Sequence, residues 1–206
     1  LIGQSGSGDP PIGVAGYGEG GLLALYAGAS DRRIDATLVS GYFGPRDSLW
    51  QEPVARNVWG LLKQFGDAEI ASMIAPRSVV IEYSEHPDVD GPPPAGDNVM
   101  DVATDGSIAT PPFSAVEAEL NRLEDFFAAG SLDLDAAFVH GSRGDRTVPG
   151  GSEEALSAFA ADLGISKLGS PGSSPTDGRE HFRAEQRQKQ QVEQLTDFFH
   201  DLVDNQ

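Results

Sequence analysis

The stretch IGVAGYGEGGLLAL, residues 12–25, decides the fold of this chain. It begins with an apolar run at residues 12–15 that is typical of a buried strand. The glycine-rich turn GYGEGG follows at residues 16–21, and the apolar side chains after it recur at the spacing of a helix packed on one face. A strand that runs through a tight glycine turn into a helix is the repeating unit of an α/β protein.

The same alternation continues along the chain and predicts an α/β fold, a mainly parallel sheet with flanking helices. Further strands are expected at residues 34–39, 78–83 and 136–140. Helices are expected, with breaks, over residues 46–75, and then at about 114–129, 151–163 and 182–203. In the first helical region an apolar face is predicted from residues at helical spacing, namely Val54, Val58, Leu61, Leu62 and Phe65.

The composition predicts one domain with two irregular segments. Residues 1–11, which begin LIGQSGSGD, are rich in glycine and serine and are typical of a flexible N-terminal segment. Residues 12–206 are expected to form the domain. Within it, residues 84–113 are rich in proline, glycine and aspartate and predict a long loop outside the core.

The net charge limits the classes of partner. The 206 residues include 32 acidic and 14 basic side chains, a formal charge of −18, which repels nucleic-acid phosphates and anionic lipid, so neither nucleic acid nor a membrane is expected as a partner. The chain has no cysteine, and its four histidines are isolated in sequence. We therefore expect no metal and no cofactor. The apolar runs are too short to span a bilayer, so a soluble protein is expected, and a start at Leu1 is compatible with export after loss of a leader.

The glycine-rich turn has two chemical interpretations, of which the first is dinucleotide binding. Gly16, Gly18 and Gly21 match the pattern GxGxxG, in which a pyrophosphate binds at the helix N-terminus. That pattern also needs an acidic residue at the end of the next strand, to bind the ribose hydroxyls. Asp35 stands at the beginning of that strand instead, and Glu19 puts a carboxylate in the turn itself. Dinucleotide binding is therefore the less favoured alternative.

The second interpretation is the nucleophile elbow G-x-S-x-G-G. Gly16, Gly20 and Gly21 fall on its glycines, and Gly18 stands where the nucleophilic serine is expected. The central residue of an elbow has a positive φ, which glycine adopts without strain but without supplying a hydroxyl. The other candidate serines lack this strand–turn–helix context; they are Ser5, Ser7, Ser40 and Ser142.

Three segments together resemble the α/β-hydrolase superfamily, and within it the dienelactone hydrolase and acetyl-xylan-esterase-like group. They are residues 12–25, IDATLVSGYFG at 34–44 and DAEIASMIAPRSVVIEYSE at 67–85. The resemblance covers residues 12–85 and is looser beyond Pro92. It implies the C-terminal half of a hydrolase-like fold, in which the first three predicted strands are neighbours and parallel. The first half, with part of the oxyanion hole, would precede Leu1.

The resemblance also implies a triad in the order nucleophile, acid, histidine. The segment HGSRGDRTVP at residues 140–149 is similar to the loop that presents the acid, which makes Asp145 the expected acid and leaves Asp88 as the alternative. His181, before the last helix, stands in the place of the histidine, and Gly18 in that of the nucleophile. The residues around the oxyanion would be Gly16, Glu19, Gly20 and Gly21.

Gly18 lowers the activity that this resemblance implies. Loss of the serine from such a triad costs on the order of 10⁶ in kcat. The expected protein is an esterase-like or dienelactone-hydrolase-like hydrolase with little or no ester hydrolysis, and its small-molecule ligand is an ester or a carbohydrate derivative. The alternatives are a non-catalytic, ligand-binding pseudo-hydrolase and, less favoured, a dinucleotide-binding protein.

Overall fold

The computed structural model describes residues 10–58, 60–89, 106–128, 134–143, 146–169, 172–173, 178 and 183–204. The chain divides into two compact units, Leu1–Leu168 and Gly169–Gln206. Among the described residues, the first unit contains a sheet, four α-helices and three short 3₁₀ helices, and the second contains one α-helix. No described helix is long and apolar enough to cross a membrane.

The sheet of the first unit has four parallel strands in the order in which they occur along the chain. They are β1 (Gly13–Tyr17), β2 (Ala36–Ser40), β3 (Ser78–Glu82) and β4 (Asp135–Val139). The register aligns Tyr17, Ser40, Glu82 and Val139 in one row, so all four strands end at the same edge. The predicted parallel sheet is confirmed. In such a sheet, ligands bind outside the carboxyl ends of the strands, so a binding site is expected at this edge.

Helices cover both faces of the sheet, as a parallel sheet requires. They are α1 (Glu19–Ser30), α2 (Asp67–Ser72), α3 (Phe113–Ala128) and α4 (Glu153–Asp162). Side chains alternate along each strand. Val39 and Ile81 therefore pack with the first three helices in one buried cluster, while Leu38 and Val80 pack with Ala155 of α4 in a second cluster.

The segment between β2 and α2 differs from the prediction. It contains three single turns of 3₁₀ helix, at Leu49–Gln51, Val54–Arg56 and Leu61–Lys63, in place of an amphipathic helix. The predicted apolar face is wrong, because Val54 and Val58 are 70% and 49% exposed. Arg46 and Arg56 are buried instead. Pro53 and Gly60, the latter with a φ of 77°, interrupt the helical backbone.

The long loop predicted at residues 84–113 is only partly outside the core. Its two described ends, residues 84–89 and 106–112, are joined by an antiparallel bridge between Val89 and Ile108, with two N–O distances of 3.0 Å. Ser84, His86 and Ile108 are buried. Pairing of the two ends satisfies their backbone groups and brings both to the carboxyl edge of the sheet.

The second unit, Gly169–Gln206, contains the last described helix. Its helix α5 spans Ala184–Asp204, so the predicted final helix is confirmed. Its sequence alternates long polar stretches with apolar side chains at helical spacing, which are Val192, Leu195, Phe199 and Leu202.

Candidate functional site

The turn between β1 and α1 is centred on Gly18, the residue at the expected nucleophile position. Gly18 joins the strand directly to the helix with φ 56° and ψ −118°, a conformation that side-chain-bearing residues adopt only under strain. Its N–H donates to the carbonyl of Ser40 at 3.0 Å, which fixes the turn to the end of β2. A Cβ on Gly16 would lie 1.9 Å from the carbonyl oxygen of Gly20. Glycine is therefore required at position 16 by close approach and favoured at position 18 by its dihedral angles.

The segment of residues 84–89 lies against this turn. Pro87 Cδ is 3.0 Å from the place that a Cβ on Gly18 would occupy. Three contacts anchor the segment: the Tyr17 hydroxyl donates to the carbonyl of Glu85 at 2.6 Å, the His86 N–H donates to Thr110 Oγ1 at 2.8 Å, and Val89 forms its bridge to the 106–112 end. A side chain at position 18 would therefore be in tight contact with Pro87 from its first carbon atom.

A row of paired charges extends from the first residue of α1. Glu19 Oε1 lies 2.5 Å from Arg56 Nε, and Arg56 Nη1 donates to Glu52 at 2.9 Å. Glu52 also accepts from Arg46 Nη1 at 3.2 Å, and Arg46 Nε donates to Asp67 at 3.0 Å. The two arginines are each only 7% exposed. Pairing with carboxylates on both sides is what makes their burial tolerable.

The Tyr42 ring connects this charged row to His86. The Arg46 guanidinium carbon lies 4.4 Å from the centre of the Tyr42 ring, and that of Arg56 lies at 5.5 Å. The His86 ring lies 6.4 Å from the same ring, centre to centre. Burial, followed by the positive charges of Arg46 and Arg56, lowers the pKa of His86 to about 4. His86 is therefore neutral at physiological pH, and its buried Nδ1 has no hydrogen-bond partner among the described residues.

Asp67 ends the charged row in the core. It is fully buried, and burial raises the pKa of its carboxyl group to about 7, against the opposing effect of Arg46 and of the Gly44 N–H. Oδ2 accepts from Gly44 N at 3.1 Å and from Arg46, whereas buried Oδ1 has no partner within the described part of the chain. At neutral pH this carboxyl group is consequently only partly ionised.

Two cavities open at this edge on either side of His86. One, of about 360 Å³, is lined by Glu85, Asp88 and Thr147 among others. The other, of about 250 Å³, is lined by Arg46, Arg56 and Glu52 among others. Both share His86 and the 110–112 segment as a wall. The carboxyl edge therefore offers small, polar spaces next to the elbow.

Of the site residues expected from the sequence, Asp88 and Glu19 are among the described residues. Asp88, the alternative acid, is exposed and lines the larger of the two cavities at the carboxyl edge, together with Thr147 of the 140–149 segment. The two loops that could present an acid therefore meet at one cavity. Asp145 and His181 lie outside the described residues. Glu19 is paired with Arg56 and is 62% exposed.

The serines near this edge have structural partners. Ser40 is buried, with its hydroxyl bonded to Glu82 and 2.9 Å from that of Ser84. Glu82, 1% exposed, also accepts the N–H groups of Gly151 and Ser152 at 2.7 and 2.8 Å, and so anchors the two residues that lead into α4. Charge at a helix N-terminus is favourable when the group is anionic. This cluster fastens the sheet to α4 and presents no accessible hydroxyl.

The features required for dinucleotide binding are separated in the structure. Asp35 lies at the amino end of the sheet, where it accepts the N–H of Ile12 at 2.8 Å. The end of β2 carries buried Ser40, and the N-terminus of α1 carries Glu19, whose charge opposes that of a phosphate. Among the described residues no group of three or more histidine, aspartate or glutamate side chains could hold a metal ion.

Arg46, Arg56 and His86 were not identified as site residues from the sequence. Each lies in a segment predicted as helix or loop, and only the tertiary fold buries them together. The sequence signal that could have indicated them is the polar, proline-containing character of residues 45–56 directly after the second strand, since loops at strand ends carry binding residues. Comparison of the chain with protein-family models, with curated proteins and with solved structures gives no significant match.

Proposed function

We propose that this chain is an α/β-hydrolase-like protein that binds a small molecule at the carboxyl edge of its sheet and does not hydrolyse esters through a covalent intermediate. The observation that carries the proposal is the pair formed by Gly18 and Pro87. Gly18 has the positive φ expected at the centre of an elbow, while it lacks a hydroxyl, and Pro87 would be in tight contact with any side chain placed there. An elbow without its nucleophile retains a shaped, polar edge but loses the covalent step.

The expected loss of activity is large. Removal of the serine from a serine hydrolase costs on the order of 10⁶ in kcat and leaves about 10³–10⁴ over water from binding and the oxyanion hole. The two serines beside the turn are buried: the Ser40 hydroxyl is bonded to Glu82, and the Ser84 hydroxyl lies 2.9 Å from that of Ser40. They therefore offer no replacement nucleophile at this edge.

The test is the hydrolysis of p-nitrophenyl acetate by the full chain and by His181→Ala. We expect both proteins to give the rate of buffer alone. Turnover by the wild-type chain that disappears in His181→Ala would overturn the proposal and restore the esterase. The variant pair Gly18→Ser and Gly18→Ser/Pro87→Ala tests the elbow assignment: turnover that appears only when Pro87 is also removed would support it.

Fluorescence titration with NAD(P)H separates the proposal from dinucleotide binding. We expect no saturable change, because Glu19 stands at the N-terminus of α1 and Asp35 at the opposite edge of the sheet. Saturable binding that is lost in Gly21→Val would favour the dinucleotide alternative.

A further inference from the structure

The cavity of about 250 Å³ beside the elbow is lined by polar and charged side chains, among them those of Arg46, Arg56 and Thr110. Pockets for drug-sized ligands occupy roughly 300–1,000 Å³, so this one suits a smaller molecule. Arg56 links it to the elbow through Glu19, and His86 links it through the adjoining Pro87.

The arginines that line the cavity retain unused donors. Arg46 uses one N–H on each of its nitrogens, Nε toward Asp67, Nη1 toward Glu52 and Nη2 toward the carbonyl of Tyr42 at 2.6 Å. Each terminal nitrogen of a guanidinium carries a second N–H. Within the described part of the chain, those of Arg46 have no assigned acceptor. Thr110 adds a donor, because its oxygen accepts the His86 N–H and its own O–H is free to point elsewhere.

Three carboxyl groups and two guanidinium groups lie around the cavity. Glu19, Glu52 and Asp67 face the two guanidinium groups, but the pKa of Asp67 is raised to about 7 by burial, so this carboxyl group is not a full negative charge. The pKa of His86 is lowered by burial and then by Arg46 and Arg56, with no carboxylate opposing them. The charges that act on the His86 imidazole are therefore those of the two guanidinium groups, although the whole chain carries a charge of −18.

We infer that this cavity binds a small oxyanion, a carboxylate or an inorganic tetrahedral anion, through Arg46, Arg56 and Thr110, next to the imidazole of His86. The inference rests on the proposed function, whose ligand it assigns to a chemical class. Guanidinium groups recognise such oxygens by charge-assisted hydrogen bonds. Arg46 and Arg56 contribute cationic N–H donors to the cavity and Thr110 contributes a hydroxyl, and these groups suit a ligand rich in acceptor oxygens.

The test is an NMR titration of the full chain with sodium acetate and, separately, with sodium phosphate, against sodium chloride at equal ionic strength. The His86 ring resonances, assigned by comparison with His86→Gln, are the readout. We expect a saturable shift with at least one of the two anions, and none with chloride. Saturation by acetate alone identifies a carboxylate site, and saturation by phosphate alone identifies a site for a tetrahedral anion.

Variants distinguish a site from general charge attraction. Arg56→Gln and the milder Thr110→Val should each weaken the binding, the first by at least about tenfold. Arg33→Gln, which removes an exposed arginine with an 82% exposed side chain, should leave it unchanged. The inference would be overturned if Thr110→Val bound the anion as tightly as wild type while Arg56→Gln either did the same or failed to fold. A shift of the His86 resonances no larger than that with chloride would also overturn it.

The esterase assay separates the two proposals. Anion binding together with turnover that depends on His181 would overturn the proposed function alone. Absence of both turnover and anion binding would overturn only the present inference.

Discussion

The Cδ atom of Pro87 lies 3.0 Å from the position of a Cβ atom on Gly18. Pro87 belongs to the 84–89 segment after β3, and Gly18 to the turn after β1, so two loops from strands that are not neighbours meet at the elbow. Tyr17 strengthens this contact by donating to Glu85. The 84–89 segment therefore packs directly against the turn after β1.

Substitution of Gly18 by alanine should lower the free energy of unfolding for two separable reasons. A backbone with φ 56° and ψ −118° costs a residue with a side chain about 1–3 kcal/mol, and the contact with Pro87 adds to it. In a Pro87→Ala background the second part should disappear. Gly164→Ala is a control for a positive φ without a contact, since Gly164 has a φ of 76° and nothing near its Cβ position. Urea unfolding is measured for wild type, the three single variants and the double variant, and an equal cost of Gly18→Ala in both backgrounds would show that Pro87 does not contribute.

Substitution of Gly16 by alanine should be far more damaging than the same change at Gly20. A Cβ at Gly16 would lie 1.9 Å from a backbone oxygen, whereas a Cβ at Gly20 meets nothing within 4 Å. We expect Gly16→Ala to destabilise the fold by about 2–3 kcal/mol or more, and Gly20→Ala to be neutral or to stabilise by up to about 1 kcal/mol. Thermal and urea unfolding of the two variants decide the matter, and a comparable loss at both positions would contradict the geometry of the turn.

Substitution of Glu82 by glutamine should loosen α4. The buried carboxylate accepts two backbone N–H groups at the start of α4 and the hydroxyl of Ser40, and an amide cannot accept all of them. We expect a loss of about 1.5–3 kcal/mol in the free energy of unfolding. Glu85→Gln, at an exposed position of the adjoining loop, should change it by less than about 0.5 kcal/mol. Faster hydrogen exchange of the Gly151 and Ser152 amides would accompany the loss, and its absence would argue that Glu82 does not hold them.

Asp67 should make the fold less stable as the pH rises. Its pKa is raised from 3.8 to about 7 by burial, so folding favours the protonated form. The stabilising contribution is complete below about pH 4 and is lost as the pH rises through about 7. Urea unfolding of wild type and Asp67→Asn across pH 4 to 8 measures it. The stability of wild type relative to the variant should fall over this range, and parallel curves would refute the assignment.

His86 should act in the opposite direction. Its pKa is lowered from 6.5 to about 4 by burial and by the two arginines, so folding favours the neutral ring. The stabilising contribution, at most about 3 kcal/mol, is complete above about pH 6.5 and is lost as the pH falls through about 4. Comparison of wild type with His86→Gln over this interval isolates the effect. A constant difference between the two proteins would mean that the ring is not buried in solution.

The fold could be predicted from the sequence to the extent that it depends on local pattern. The apolar runs at β1, β2, β3 and β4 lie within two residues of the predicted strands. A parallel sheet buried on both faces requires near-continuous apolar runs, which are visible without knowledge of the partners. The glycines of the turn could be recognised for a similar reason. The need for glycine at positions 16 and 18 comes from the local backbone, namely a close approach to Gly20 and a positive φ.

The site could not be predicted in this way, because its members come from distant segments. Arg46 and Arg56 were assigned to a helix with an apolar face, yet the structure buries these two charges and exposes Val54 and Val58. A buried charge is stable only beside its partners, and those partners, Glu19, Glu52 and Asp67, are visible only once the chain has folded.

The sequence by itself determined the α/β class, the parallel sheet and an elbow-like turn with glycine at its centre, because each of these depends on side-chain size and polarity at short range. Only the tertiary structure decided that Pro87 packs closely against Gly18 and that His86 lies beside two buried arginines. Both depend on contacts across the sheet, between residues tens of positions apart, and such contacts are set by how the loops after the strands pack together, which no local pattern encodes.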